Sequence, residues 1–520
     1  MRKEVVAAAA LTAAAAITAI AALVRHRKRR KEQQWKETQK ILRKFARDCA
    51  TPVPKLWQVA NAFVANMRSS LIASNGTNTS LNMLVSYVAS LPSGDEEGMY
   101  YGVNLRRSDF LLLCGRLRGK NDPISDFHRE EIHIPTNLLD GTGSTKELFG
   151  FIAVELGKFV EAHPNSEMKD RLAIYNKVGF IISCPVDQAV ATSGTAITWK
   201  SFAADSTLGK KLVHDFNRAL EENGVKLSVY AMVDDTVGTL AGGRYYDRES
   251  VAAITLGMGT DAAYVEPADE ALQWHGPSPK LGEMVISTQW GEFSTPHLPI
   301  TIFDTCLDAE SSNPGFRRFE KVVSGMYLGE IVRRVLLTMA KETALFGQLV
   351  VPSKLMTPYQ LSSPDMAAMH QDTSDNCEVV GEKLKGSFWG TITKSTPEVR
   401  EVVAEVCDIV AERGARLAGA GILGIIKKLG RIENKRSIVT VEGGLYEHYR
   451  VFRNYLNSGV WEMLGDNHSD NVVIENSHDG SGTGALYLAA SQMKDIDRSQ
   501  MQDSDPDVEA KPEPEPEPEF

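Results

Sequence analysis

The chain has 520 residues, 43% hydrophobic and 24% charged, a balance that excludes a disordered or fibrous polymer and allows two or three domains with their own cores. A formal net charge of -10 gives no electrostatic ground for a nucleic-acid partner. Cysteines at 49, 114, 184, 306, 377 and 407 form no Cys-x-x-Cys pair, which argues against a zinc ribbon or disulfide framework and suits a reducing compartment.

Residues 5–24, VVAAAALTAAAAITAIAALV, carry no charge, and RHRKRRK follows at once. At ~1.5 Å rise per residue such a helix is about 30 Å long, the hydrocarbon thickness of a bilayer. The cationic flank is C-terminal, so the positive-inside rule leaves the bulk of the chain in the cytosol. A cleaved signal peptide carries its charge before the apolar core, so residues 1–31 are expected to be a signal anchor with a basic flank.

Residues 32–70 have helical periodicity interrupted by Pro52 and Pro54, and NGTNTSLN at 75–82 is a loop signal. The stretch YYGVNLRRSDFLLL, residues 100–113, predicts a β-hairpin. Hairpin turns favour Gly, Asn or Asp at positions of positive φ, yet this turn holds Arg106 and Arg107. From 98 to about 305 β-like and helical runs alternate, which indicates an α/β class. Residues 317–430 are mostly helical, with small residues at 414–424 that permit close packing or binding. RSIVTVEGGLYEHY and HDGSGTGALYLAA each lead into a glycine turn and helix, and the Pro/Glu-rich residues 493–520 are expected to be disordered.

The densest motif region is residues 232–266. A strand ends in Asp234 and Asp235 before a Gly-rich helix, and a second strand ends in Gly257, Gly259 and Thr260. Glycines after a strand let backbone N–H groups approach a phosphate. With the turns at 443–444 and 480–484, four such units suggest a nucleotide held between two lobes, although each is also an ordinary turn or packing point.

On these residues the chain resembles plant hexokinases from about 40 to 490. The segments that carry the resemblance include VDDTVGTLAGGRYY, LDAESSNPG, SGMYLGEIVRRVLL, MAAMHQDTS, GILGIIKKLGR, EGGLYEHY and DGSGTGALYLAA. The resemblance implies an α/β, actin-like ATPase (ribonuclease H-like) fold, two lobes closing over glucose or fructose and MgATP. It assigns 32–240 to the small lobe and 241–492 to the large lobe, with a C-terminal helix returning to the small one. Asp235 matches the general base on the sugar 6-hydroxyl; its plainer reading is a helix cap. The anchor resembles the family's mitochondrial-outer-membrane type, the endoplasmic reticulum being the other compatible membrane.

The same comparison exposes departures. The family's first phosphate turn, Asp-x-Gly-Gly-Thr, falls on Asn104, Arg106, Arg107 and Ser108, and its following arginine near Leu111. The second turn reads Gly257-Met258-Gly259-Thr260-Asp261, where Met258 replaces a threonine and Asp261 the sugar-contacting asparagine. In the sugar pocket Ser183 and Lys200 persist, Asp234 stands for Asn, and Gln289 and Phe316 each stand for Glu. Losing two charged partners would weaken glucose by roughly two to four powers of ten. The adenosine side keeps Gly443, Gly444, Asp479, Gly480, Ser481, Gly482 and Gly484, with Glu442 for the commoner Asp. No metal-ligating set is assigned. Three functions stay open: a catalytically impaired, sugar-signalling hexokinase-like protein; a working hexokinase; and a membrane-tethered interaction scaffold with unidentified protein partners.

Overall fold

In a computed structural model the described residues are 2–72, 79–86, 88, 90–106, 108–139, 145–164, 177–183, 206–270, 282–347, 351–385, 395–478, 480 and 482–491, without the side chains of 2–21, 177, 206–211, 230 and 231. After a two-residue strand β1 (Leu84–Val85), the first sheet comprises β2 (Glu97–Leu105), β3 (Asp109–Arg118), β4 (Ser125–His133), β5 (Lys177–Ile182) and β6 (Ser228–Asp234), in the order β4-β3-β2-β5-β6. β2, β3 and β4 form an antiparallel meander, and β5 and β6 continue parallel to β2. The second sheet repeats this plan with β7 (Ser250–Leu256), β8 (Thr260–Pro267), β9 (Glu283–Ser287), β10 (Ser437–Glu442) and β11 (Val472–Asn476), β1 being added at the β9 edge. A duplicated meander followed by two parallel strands is the two-lobed, actin-like α/β architecture expected from the sequence.

The run Phe110–Cys114 is buried without interruption because both faces of its sheet are covered. Phe110, Leu112 and Cys114 face a cluster with Phe149, Ile152 and Phe216, contributed by helices we label α1 to α9 in chain order below. Leu111 and Leu113 face Leu486 on the opposite side. The labelled helices are α1 (Arg2–Cys49), α2 (Val53–Ile72), α3 (Thr145–Ala162), α4 (Ser206–Glu222), α5 (Asp235–Tyr246), α6 (Arg318–Val323), α7 (Gly325–Thr343), α8 (Pro397–Lys428) and α9 (Arg450–Leu464). The hairpin over 100–113 forms as the alternation predicts, with Asn104 opposite Leu111 and Leu105 opposite Phe110.

Residues 32–72 do not join the small lobe as expected. Leu42 and Phe45 of α1 and Leu56, Val59 and Phe63 of α2 lie in the same cluster as Trp290, Leu328 and Leu423, so these helices complete the large lobe. The physical reason is that the first sheet has no open face left: α3 and α4 cover one side and the helical residues 482–491 the other. The small residues of α8 are packing points. A Cβ on Gly421 would meet Trp290 at 2.7 Å, and one on Gly424 would meet Phe63 at 2.8 Å. Residues 5–24 lie within α1, and no helix among the described residues is long and apolar enough to cross a membrane. The structure thus lends the expected anchor no support, and that reading rests on sequence.

The C-terminal helix enters the small lobe through glycines. A Cβ on Gly179 would fall 1.8 Å from the Ala485 carbonyl oxygen, and one on Gly484 would fall 2.1 Å from that of Gly238 in α5. Gly484→Ala is therefore expected to lower stability by at least about 1–3 kcal/mol through overpacking. Gly150→Ala, on α3 with nothing within 4 Å of the new methyl, is expected to raise it by roughly 0.5–1 kcal/mol. Chemical denaturation of the two variants checks both signs.

Candidate active site

The C-terminal ends of β2, β5, β6 and β10 converge between the lobes, the place where open α/β sheets present ligand sites. A cavity of about 700 Å³ opens there, and Asn104, Ser183, Asp235, Glu442, Gly480 and Thr483 line it.

At the first turn, the Arg106 backbone N–H donates to the Asp109 carbonyl at 2.9 Å, closing the hairpin. Its guanidinium lies 3.0 Å from the Asp109 carboxylate and 3.1 Å from that of Glu131 on β4. Arg106 is thereby held against its own sheet by two carboxylates. Ser108 is exposed and donates to Asp109 at 3.2 Å. Asn104 is buried, and its amide oxygen accepts from the Ser183 hydroxyl at 3.1 Å. Arg107 lies outside the described residues.

Asp234 and Asp235 divide the roles expected of Asp235. The cap of α5 is Asp234, whose carboxylate accepts from the Val237 N–H at 2.8 Å, so the capping alternative for Asp235 is corrected. Asp235 lines the cavity instead. Burial, reinforced by the negative charges of Asp234 and Glu442, pushes its carboxyl up to about 8. Glu442 is held in place by the Thr239 hydroxyl, which donates to it at 2.5 Å.

The second turn is closed by its own backbone. Gly257 N–H donates to the Gly259 carbonyl at 3.0 Å, while the Gly257 and Met258 carbonyls accept from Gly325 and Met326 at the start of α7. The Thr260 hydroxyl donates to the Thr255 carbonyl at 2.9 Å and accepts from the Trp290 indole N–H at 2.9 Å. Its one proton is therefore already committed. Met258 is exposed.

Of the residues expected to contact sugar, two departures meet each other, and neither lines the cavity. The Gln289 amide donates to the Asp261 carboxylate at 2.9 Å, and the N–H groups of Ala262 and Trp290 donate to the same carboxylate at 2.7 and 3.2 Å. Asp261 is fully satisfied within the protein, while burial and the nearby Asp234 hold its carboxyl well above the usual range. Phe316 points to solvent and is 72% exposed, so it is not brought into the cavity. Lys200 lies outside the described residues.

The adenosine-side glycines separate into two kinds. Gly443 has φ 115° and a Cβ there would lie 2.5 Å from the Leu256 carbonyl oxygen, and Gly484 backs onto Gly238; both positions are demanded by packing. Gly480, at φ 75°, and Gly482 line the cavity, and Gly444 begins the short helix Gly444–Glu447. Asp479 and Ser481 lie outside the described residues.

Sequence reasoning did not find Asp109 and Glu131 as the partners of Arg106, nor Phe127 and Arg129 on the cavity wall. The signal was the two-residue period of β4, which sets 127, 129 and 131 on one face. Among the described residues, Asp109, Glu131 and His133 form a group close enough to share a cation, but Arg106 is ion-paired to two of them.

Comparison with known proteins places this architecture. A family described as hexokinase matches residues 41–245, and a second described in the same way matches 251–491. Hexokinase-1 of Spinacia oleracea is 46% identical over 511 residues, covering 96% of this chain and all of that one. Hexokinase-1 of Arabidopsis thaliana is 45% identical over 477 residues, covering 89% and 93%. Among solved structures, a hexokinase from Schistosoma mansoni complexed with glucose superposes with a TM-score of 0.71 at 28% identity, covering 89% of this chain and 99% of that one. The chain belongs to the plant hexokinase family.

Proposed function

We propose that this chain is a hexokinase-family protein in which phosphoryl transfer is lost or strongly reduced and which serves a sugar-responsive regulatory role. The family binds glucose as substrate and normally uses ATP with Mg2+. What carries the reading is the first turn, where Arg106 is ion-paired with Asp109 and Glu131 and the Asn104 amide oxygen accepts from Ser183.

A hard divalent cation and a triphosphate do not fit this donor set. The neutral Asn104 oxygen is a weaker ligand than a carboxylate and already accepts from Ser183. Burial beside Asp234 and Glu442 pushes the Asp235 carboxyl up to about 8, which disfavours its charged form and leaves Glu442 as the other carboxylate lining the cavity among the described residues. Catalysis of phosphoryl transfer is almost entirely positioning and charge neutralisation, so a surviving Asp235 does not replace these parts. The rival reading is a working hexokinase on glucose or fructose. It draws on identity with named hexokinases across 96% of the chain and on Asp235 in the cavity.

Glucose-dependent ADP release by the full chain at saturating MgATP is expected to lie at least about a thousandfold below the ordinary ~10 s⁻¹. Turnover near that value, abolished by Asp235→Ala, would establish the rival instead.

Asp235 also generates a stability prediction. Its folded pKa of about 8 lies above the ordinary 3.8, so between those values it is protonated when folded and ionised when unfolded. The stability it confers is complete below about 4 and is lost as pH rises through 8. Asp235→Asn is expected to unfold at higher denaturant than the parent at pH 8.5, by on the order of 2–5 kcal/mol, with the gap shrinking towards pH 4.5. Denaturation at the two pH values reads this directly.

The tether is proposed from sequence alone, from the uncharged run 5–24 and the cationic 25–31. Full chain is expected to resist alkaline carbonate extraction from mitochondrial outer membranes, and a chain beginning at residue 32 to be released.

A further inference from the structure

The cavity extends well beyond the strand ends, and this extension is unlike a phosphate cradle. Its floor is the cleft-facing side of β3, where Leu111 and Leu113 rest on Leu486. Its far wall is Phe127 on β4, with Ile124 beside it. Gly115 makes that wall possible. A Cβ there would meet Ile124 at 2.6 Å and Phe127 at 3.3 Å, so its absence lets both side chains lie down on the sheet.

Phe127 nonetheless remains 43% exposed, in a strand whose other residues are almost all polar. Its ring therefore presents apolar surface to an aqueous cavity. Charge is distributed with equal asymmetry. In the register, Leu113 faces Arg129 and Leu111 faces Glu131, so one cation, one anion and the two leucines share one face. Glu131 is spent on Arg106, whereas Arg129 enters no ion pair among the described residues.

We propose that this extension binds a small anion with a flat apolar body, the ring lying against Phe127 and Ile124 and the anionic group meeting Arg129. The whole cavity, about 700 Å³, lies within the range usual for small-ligand sites, and this extension is one part of it. The chemistry follows from each part. Apolar walls reward ring burial at about 25 cal/mol per Å². A guanidinium with no ion pair among the described residues supplies a forked, charge-assisted donor for a carboxylate, sulfonate or phosphate. A bare triphosphate finds no such reward from Phe127. The proposal rests on the reading that the first turn no longer cradles nucleotide phosphates, but the two fail separately, because turnover is measured with glucose and MgATP and this binding with neither.

The test is isothermal titration of the full chain with naphthalene-2-sulfonate, with inorganic phosphate as the anion lacking an apolar body. Saturable binding near one equivalent is expected, with phosphate alone giving none. Arg129→Gln and Phe127→Ala are each expected to weaken it about tenfold or more, Arg129→Gln without shifting the thermal unfolding midpoint because its side chain is exposed. Absence of binding overturns the proposal. So does binding that neither variant changes, which would place the probe elsewhere, and so does displacement of the probe by MgATP, which would return the cavity to a nucleotide.

Discussion

The close crossing of the C-terminal helix over the small lobe is the constraint on which the rest depends. Residues 482–491 are the last of the described residues, yet they lie on β2 and β5 at the chain's other half, with Ala485 pressed onto Gly102 and Gly179. Gly484 lets the same helix touch the backbone of α5 at Gly238. No side chain fits at these contacts, so helix, sheet and α5 approach as backbones. The cavity exists because this helix closes its near wall while β10, from the second sheet, brings Glu442 to the opposite one. The uninterrupted apolar run of β3 has the same origin, since only a strand covered on both faces can bury Leu111 and Leu113 as well as Phe110 and Leu112.

Read one at a time, the departures from the family pattern look like losses. In the folded chain they are matched to partners. Gln289 donates to Asp261, so an amide and a carboxylate still meet at that point. Arg106 meets Asp109 and Glu131, which a turn of two glycines would leave facing one another. Each pairing offsets charge or polarity that would otherwise be buried alone, the Arg106–Asp109 contact as an ion pair without hydrogen-bond geometry at Nε. The departures thus lean on one another, which favours a stable fold.

Much of this was legible from sequence because the signals were local. The alternation across 100–113 specifies its hairpin, and the strand-glycine-helix units mark the strand ends that line the cleft. What sequence could not supply was pairing over distance. The capping of α5 by Asp234 and the presence of Asp235 in the cavity depend on where one strand ends, and adjacent residues of like chemistry give no hint which is which. The placement of α1 and α2 depends on which apolar faces remain open after both sheets have formed, a property of the whole assembly. The glycines illustrate the same limit: Gly480 and Gly484 sit four residues apart in one motif, yet one borders a cavity and the other a backbone.

The long first helix has a mechanical meaning. α1 runs unbroken for 48 residues, about 70 Å at 1.5 Å per residue, and its last turns are anchored by Leu42 and Phe45 in the core of the large lobe. Whatever holds the N-terminal end therefore holds the large lobe, through a strut with no hinge before Cys49. Among the described residues the small lobe has no such attachment. Any closing of the cleft would be a swing of the small lobe against a fixed partner, at a standoff set by the strut.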